Sequence, residues 1–149
     1  MQICFLHECP AQLEAVTALV HGEFGNEKNY AAFYELLSQS CTPQRLPMCV
    51  VALDGGEVVG SIGILRADLI SRQELYPWIG NVVVRADRRG EGIGLAMLRY
   101  CAEACRALGY QTIYLYTRLN GYYEKLGWTY FGQAHEQDGS LQKLYRLEL

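Results

Sequence analysis

The segment that most constrains the fold is RADRRGEGIG, residues 85–94. It follows three consecutive valines at the end of an apolar stretch that is typical of a buried strand. It leads directly into GLAMLRYCAEACRALG, residues 94–109, in which apolar residues recur at helical spacing. A strand that enters a helix through a glycine-rich loop indicates an α/β arrangement. The loop is also strongly basic, although the formal net charge of the chain is −3.

This loop has the composition of an anion site. The first amides of a helix have no acceptor within the helix, and the helix N-terminus carries a partial positive charge. Glycines allow a ligand to approach the backbone closely, and arginine adds charge-assisted hydrogen bonds. Arg89, Gly90, Gly92 and Gly94 therefore predict a cradle suited to a pyrophosphate. Neither the P-loop pattern nor the dinucleotide fingerprint fits the spacing. The alternative is a tight turn with solvated arginines.

The remaining patterns predict one domain over residues 1–149, with the element order β-α-α-β-β-β-α-β-α-β-β around a single sheet. The fold class is therefore mixed α/β. The six cysteines contain no C-x-x-C pair, and Cys101 and Cys105 share a face of the predicted helix. We expect core thiols rather than disulfides, and no metal site.

The overall charge narrows the choice of partners. A sequence pI of about 5.6 argues against nucleic acid as the main partner, because phosphate-binding surfaces need a basic stripe. No apolar run approaches the length of a membrane span, and the first residues lack the features of a secretory signal. We expect a cytoplasmic protein with a small-molecule partner and no contact with membrane. A homodimer is left open.

Two segments carry a resemblance to a known family. VVVRADRRGEGIG matches R/Q-x-x-G-x-G/A at Arg89, Gly92 and Gly94. YYEKLGW is similar to the pattern Y-x-x-x-G-F/W, in which Tyr123 takes the position of the tyrosine. In this order, with a helix between them, they resemble the GNAT superfamily of acetyl-CoA-dependent N-acetyltransferases. The resemblance implies a mixed central sheet of about six to seven strands flanked by about four helices.

The resemblance also implies roles for individual residues. The exposed backbone of Val82, Val83 and Val84 would pair with the pantetheine arm of acetyl-CoA, as an added strand would. The pyrophosphate would be held by the amides of a continuous run: Arg89, Gly90, Glu91, Gly92, Ile93 and Gly94. Glu91 is assigned a backbone role only, because its charge opposes phosphate. Tyr123 would protonate the departing thiolate.

The implied function is transfer of an acetyl group from acetyl-CoA to a primary amine, directly within a ternary complex. Two alternatives stay open: a non-catalytic acyl-CoA-binding or sensor module, and an acetyltransferase for protein N-termini or lysines. Tyr123 has a second interpretation as a packing aromatic. The base is unassigned, since Glu23 and Glu74 both have the character of surface charges. The length of the acyl group and the role of Asn120, only three residues before Tyr123, are also open.

Overall fold

A seven-stranded sheet forms the centre of the protein, and the structure, a computed structural model, describes residues 1–149. The strands are β1 Gln2–Phe5, β2 Met48–Asp54, β3 Glu57–Leu65, β4 Trp78–Val84, β5 Thr112–Thr117, β6 Thr129–His135 and β7 Leu141–Glu148. The helices are α1 Leu13–Phe24, α2 Tyr30–Gln39 and α3 Ile93–Ala107. Short 3₁₀ turns occupy Leu6–Glu8, Pro10–Gln12, Ala86–Arg88 and Glu124–Leu126.

The strand order is β1-β2-β3-β4-β5-β7-β6, and every neighbouring pair is antiparallel except β4 with β5. The mixed α/β class and the number of strands confirm the sequence prediction. The fourth helix, predicted over GYYEKLG (residues 121–127), is only a 3₁₀ turn at Glu124–Leu126. Gly121 and Gly127 bracket it with φ of 73° and 88°, so the right-handed stretch between them is too short for an α-helix.

The two faces of the sheet are buried by different helices. Helix α3 covers one face and packs on the larger core, and the α1–α2 pair covers the other. Strand β2 serves both cores: Val50 and Ala52 belong to the first, and Cys49 and Val51 to the second. Because both faces of β2 are buried, its sequence is a continuous run of apolar residues rather than an alternation of apolar and polar ones.

Helix α3 lies close to the sheet. A Cβ placed at Gly60 in β3 would lie 2.6 Å from Cε of Met97, so the glycine makes room for the helix. Cys101 and Cys105 are buried in this core, as their spacing predicted. Packing against β3 and β4 fixes where the N-terminus of α3 points. None of the three helices is both long and apolar enough to cross a membrane.

Candidate active site

Strands β4 and β5 separate soon after they meet. Their only register pair joins Trp78 to Tyr114, and the amide of Tyr114 also donates to the carbonyl of Pro77 at 3.1 Å. Beyond that point a cleft of about 290 Å³ opens between the strands. Its walls come from both strands, the end of α1, and the segment that contains Tyr123. They are formed by Phe24, Asp68, Ile79, Gly80, Asn81, Val82, Leu115, Tyr116, Thr117, Leu119 and Tyr123.

One wall of the cleft is an unpaired strand edge. The amide of Arg85 donates to the carbonyl of Val59 in β3 at 2.9 Å, and Val83 is the register partner of Ser61. Backbone groups alternate in direction along a strand, so those of Val84 and Val82 face away from β3, towards the gap. Of the three predicted valines, Val83 bonds within the sheet and Val82 leaves both its backbone donor and its acceptor free. Val84 leaves its amide free, because its carbonyl accepts from Nε of Arg89.

A bulge lies in the same strand. The register between β3 and β4 shifts between Ser61 and Gly63, where β4 carries one extra residue. Asn81, inside this bulge, has a φ of 50°, in the left-handed region that few residues other than glycine adopt. A bulge bends the strand and interrupts its pairing. It therefore contributes to the separation of β4 from the regular sheet.

The open edge ends at the N-terminus of α3. A Cβ at Gly94 would lie 3.6 Å from Cγ2 of Val84, so the strand end and the first turn of the helix are adjacent. Gly90 and Gly92 both have a φ of 81°, and a Cβ at either would meet no atom within 4 Å. The loop thus presents bare backbone to open space beside the free amides at the start of α3. This arrangement fits an anionic group held by backbone donors.

Two of the three arginines in this loop, Arg85 and Arg88, form ion pairs with acidic residues of the loop itself and of the β2–β3 hairpin. Arg85 pairs with Asp87 and Glu57 at 2.7 and 3.0 Å. Arg88 joins Asp54 and Glu91 at 2.8 and 2.9 Å, and its guanidinium holds the pKa of Asp54 below the usual range. These pairs tie the loop to the β2–β3 hairpin. They also explain why the side chain of Glu91 does not oppose an anion.

Arg89 differs from the other two arginines. Its Nε donates to the carbonyl of Val84 at 3.0 Å, and its Nη2 lies 3.1 Å from Oε2 of Glu23. The side chain is 54% exposed. Arg89 therefore lies where the open strand edge meets the glycine loop, and it is paired with one acid, whereas Arg85 and Arg88 are each paired with two.

Tyr123 lies in the wall of the cleft and is mostly buried. Its ring packs edge-on against Tyr122 and Trp128, with centroid distances of 5.0 and 6.0 Å. No protein group accepts a hydrogen bond from its hydroxyl, in contrast to Tyr145, whose hydroxyl donates to Glu124 at 2.5 Å. Burial, and then the neighbouring Tyr122, raises the pKa of Tyr123 to about 12. At neutral pH Tyr123 is therefore a protonated, unengaged phenol that faces the cleft.

Asp68 is the main feature that sequence reasoning missed. It belongs to the loop after β3, and it is the only carboxylate in the wall of the cleft. Nothing in its local sequence relates it to Tyr123, which is 55 residues away. The available signal was Gly80, since a glycine inside a buried strand indicates that another group approaches closely. Phe24 and Asn81 were also missed.

The other acidic candidates lie elsewhere. Glu23 is bound to Arg89, and Glu74 is an exposed residue 3.9 Å from Arg72. Neither lines the cleft. Asn120 is exposed and also lies outside the cleft wall, whereas Thr117 is part of it.

Comparison with known proteins identifies the domain. The model of the acetyltransferase (GNAT) family matches residues 13–128. The protein is also similar to an aminoglycoside 6'-N-acetyltransferase complexed with coenzyme A, with a TM-score of 0.78 at 19% identity. An aminoglycoside 6'-N-acetyltransferase from Enterococcus faecium gives 0.77 at 20% identity, and an N-acetyltransferase from Staphylococcus aureus Mu50 gives 0.74 at 16%. Each match covers 99% of this chain and 97% of the other. At these identities the likeness establishes the fold, and it confirms the fold that the resemblance predicted.

Proposed function

The chain belongs to the GNAT family of acetyltransferases, and on that premise we propose that it moves an acetyl group from acetyl-CoA directly to the primary amine of a small molecule in a ternary complex. The observation that carries the proposal is the cleft between β4 and β5. One of its walls is the edge of β4, which continues through Val84 to the N-terminus of α3, and Tyr123 lies in another wall.

Acetyl-CoA would be held mainly by backbone groups. Its pantetheine arm carries two amides, which the free donor and acceptor of Val82 and the free amide of Val84 complement as a neighbouring strand would. Its pyrophosphate would meet the amides of residues 89–94, at the glycines where backbone faces open space. Arg89 adds the one guanidinium that is directed to this edge.

Tyr123 would serve the leaving group. When the amine nitrogen attacks the thioester carbonyl, the C–S bond breaks and the sulfur leaves as a thiolate that requires a proton. The phenol of Tyr123 is protonated at neutral pH, because its pKa lies at about 12, and its hydroxyl has no competing partner in the protein. It can therefore donate to the sulfur and regain a proton from the nitrogen of the product.

A small acceptor fits the size of the cleft. Its volume of about 290 Å³ is at the lower end of the range for small-molecule sites. Two of the similar structures are aminoglycoside 6'-N-acetyltransferases, whose acceptors are small amines. These likenesses support a small amine in general and do not select one.

The test combines binding with a panel of acceptors. Calorimetry should give a micromolar Kd for acetyl-CoA, because several charge-assisted hydrogen bonds converge on its phosphates. Thiol release should then be followed with spermidine, tyramine, kanamycin, free lysine and a peptide with an unblocked N-terminus, against a no-amine control. We expect acetylation of at least one non-peptide amine.

Each alternative has its own outcome in this test. Binding without any transfer would favour an acyl-CoA-binding module, and transfer to the peptide alone would favour a protein acetyltransferase. Absence of heat with millimolar acetyl-CoA would overturn the proposal.

A further inference from the structure

The carboxylate of Asp68 lies where three cavities meet. It lines the cleft that contains Tyr123, a cavity of about 310 Å³ next to α2, and a cavity of about 280 Å³ next to the β6–β7 turn. The other ionisable groups of the cleft are the phenols of Tyr116 and Tyr123. Asp68 is therefore the one group there that is able to accept a proton at neutral pH.

Strand β4 is shaped to admit this carboxylate. A Cβ at Gly80 would lie 2.5 Å from Oδ2 of Asp68, closer than any side chain tolerates. Gly80 and Asn81 also line the cleft, and Asn81 is in the bulge. The absence of a side chain at Gly80 thus allows Asp68 to reach the strand whose open edge faces the cosubstrate.

Asp68 has no partner in the protein that would neutralise it. Neither of its oxygens accepts a hydrogen bond or joins an ion pair; Arg66, two residues away, stacks over Tyr76 at 5.1 Å instead. The groups that face Asp68 from the other elements are the phenol of Tyr116 on β5 and two carboxylates, Glu136 and Asp138, at the β6–β7 turn. Burial, and then the charge of Glu136, raises the pKa of Asp68 to about 6.

We infer that Asp68 is the catalytic base that removes a proton from the ammonium group of the acceptor before acetyl transfer. This inference rests on the proposed function. One proton moves from nitrogen to a carboxylate oxygen, and the nitrogen lone pair then forms the C–N bond as the C–S bond breaks. Tyr123 gives its proton to the sulfur and recovers the second proton of the nitrogen, and Asp68 releases its own proton to water. The sum is amide, free thiol and one proton.

The first test is the pH dependence of Asp68→Asn. The variant should show kcat/KM for the best acceptor of the panel reduced about 10²–10⁴-fold at pH 7, the usual contribution of general base catalysis. In the variant only the free amine reacts, so its rate should rise about tenfold per pH unit up to the pKa of the amine, near 10 for an alkylamine. The wild type should instead level off above about pH 6. The ratio of the two rates should therefore shrink steadily from pH 7 to pH 9.

Glu74→Gln provides the matched control, because Glu74 is an exposed carboxylate of the same loop outside the cleft. Its pH profile should equal that of the wild type. A ratio of wild type to Asp68→Asn that stays constant with pH would overturn the inference and leave the proposed function intact. A wild type that acetylates no amine would overturn both.

Gly80→Ala tests the geometry without removing the carboxylate. The added methyl group forces Oδ2 of Asp68 to move, so kcat/KM should fall at least about tenfold while the affinity for acetyl-CoA is retained. Glu136→Gln tests the charge. It removes a negative neighbour that raises the pKa of Asp68, so the acid limb of the profile should move to lower pH. An unchanged kcat/KM in Gly80→Ala, or an acid limb that stays in place in Glu136→Gln, would contradict the assignment.

Unfolding gives a readout that is independent of activity. The pKa of Asp68 is raised in the folded state to about 6, from an ordinary value of 3.8. Between these values the folded protein binds the proton more tightly than the unfolded chain, so the stabilisation from this proton is lost as the pH rises to about 6. The Asp68→Asn variant has no carboxyl group at this position, so it does not lose this stabilisation as the pH rises. Its urea midpoint relative to the wild type should rise from pH 4 to pH 7, and a constant difference would contradict a half-buried carboxylate without a partner.

Discussion

The two ends of the candidate site are built from different parts of the chain. At the end formed by the glycine loop and α3, the ligand would meet backbone amides, and the loop's Arg85 and Arg88 are held away by ion pairs. At the other end the proposed chemistry would depend on the side chains of Tyr123 and Asp68, which come from segments far apart in sequence. We call these the backbone end and the side-chain end.

This difference determines how each end can be damaged. The backbone end has space where side chains are missing, so it should fail when atoms are added, and the failure should appear as lost affinity for acetyl-CoA. The side-chain end depends on single functional groups, so it should fail when one atom is removed, and the failure should appear in kcat. Substitutions at the two ends therefore separate binding from chemistry.

The largest effect is expected at the side-chain end, from Tyr123→Phe. The ring keeps its packing against Trp128, and only the proton donor is lost. Steady-state kinetics with saturating amine should show kcat reduced about 10²–10⁴-fold, equivalent to about 3–5 kcal/mol of barrier. The KM for acetyl-CoA should change little. Stability should change by less than about 1 kcal/mol, because the hydroxyl has no hydrogen-bond partner to lose.

Tyr122→Phe is the matched control for that substitution. Tyr122 is the adjacent tyrosine, exposed and outside the wall of the cleft, so its kcat should equal that of the wild type. If Tyr123→Phe retained a kcat within threefold of the wild type, and a burst experiment showed chemistry to be rate-limiting, Tyr123 would be a packing residue.

The next largest effect is expected at the backbone end, from Gly92→Glu. The new side chain would project into the open space at the N-terminus of α3 and place a carboxylate beside the pyrophosphate. Loss of two charged hydrogen bonds, at about 1.5–3 kcal/mol each, predicts a Kd for acetyl-CoA at least about 100-fold weaker by calorimetry. The fold should survive, because a Cβ at Gly92 meets no atom within 4 Å.

Gly109→Glu isolates the effect of backbone strain. Gly109 follows the opposite end of α3, has a φ of 88° against 81° for Gly92, and is equally unobstructed. Both substitutions should cost about 1–2 kcal/mol of stability, since a side chain disfavours the left-handed region. Only Gly92→Glu should lose affinity. Equal losses of affinity in the two variants would refute the position of the cradle.

The same difference between the ends explains what the sequence could predict. The backbone end is local: a strand, a glycine loop and a helix follow one another within about thirty residues, so their order and residue types indicate the site. Helix α3, its buried cysteines and the strand count were predicted correctly for the same reason. The side-chain end is assembled by tertiary packing. Tyr123 was identified only through its resemblance to a family pattern, and Asp68 was missed.

Two further features of the site could not be predicted from residue types, because they depend on the three-dimensional structure. The sequence singled out Arg89, but it did not show what Arg85 and Arg88 do. Their roles depend on which acids the β2–β3 hairpin brings near, namely Asp54 and Glu57. The segment around Tyr123 appeared helical, but left-handed glycines on both sides limit it to a 3₁₀ turn. In both cases the deciding neighbour or backbone angle is not encoded in the residue types of the segment itself.

The smallest effect expected is that of Arg89→Gln, and it refines the comparison, because Arg89 is the one arginine of the loop directed to the strand edge. Its guanidinium is about half exposed, so solvent and salt screen it. We expect the Kd for acetyl-CoA to weaken about tenfold, or ~1.4 kcal/mol, with the difference shrinking as ionic strength rises.

Arg85→Gln should leave the Kd unchanged, because Asp87 and Glu57 hold that guanidinium away from the cleft. An acetyl-pantetheine without phosphates should bind wild type and Arg89→Gln equally. Equal losses of acetyl-CoA affinity in the Arg85 and Arg89 variants would mean that the backbone end attracts its ligand through the general charge of the loop rather than through a directed group.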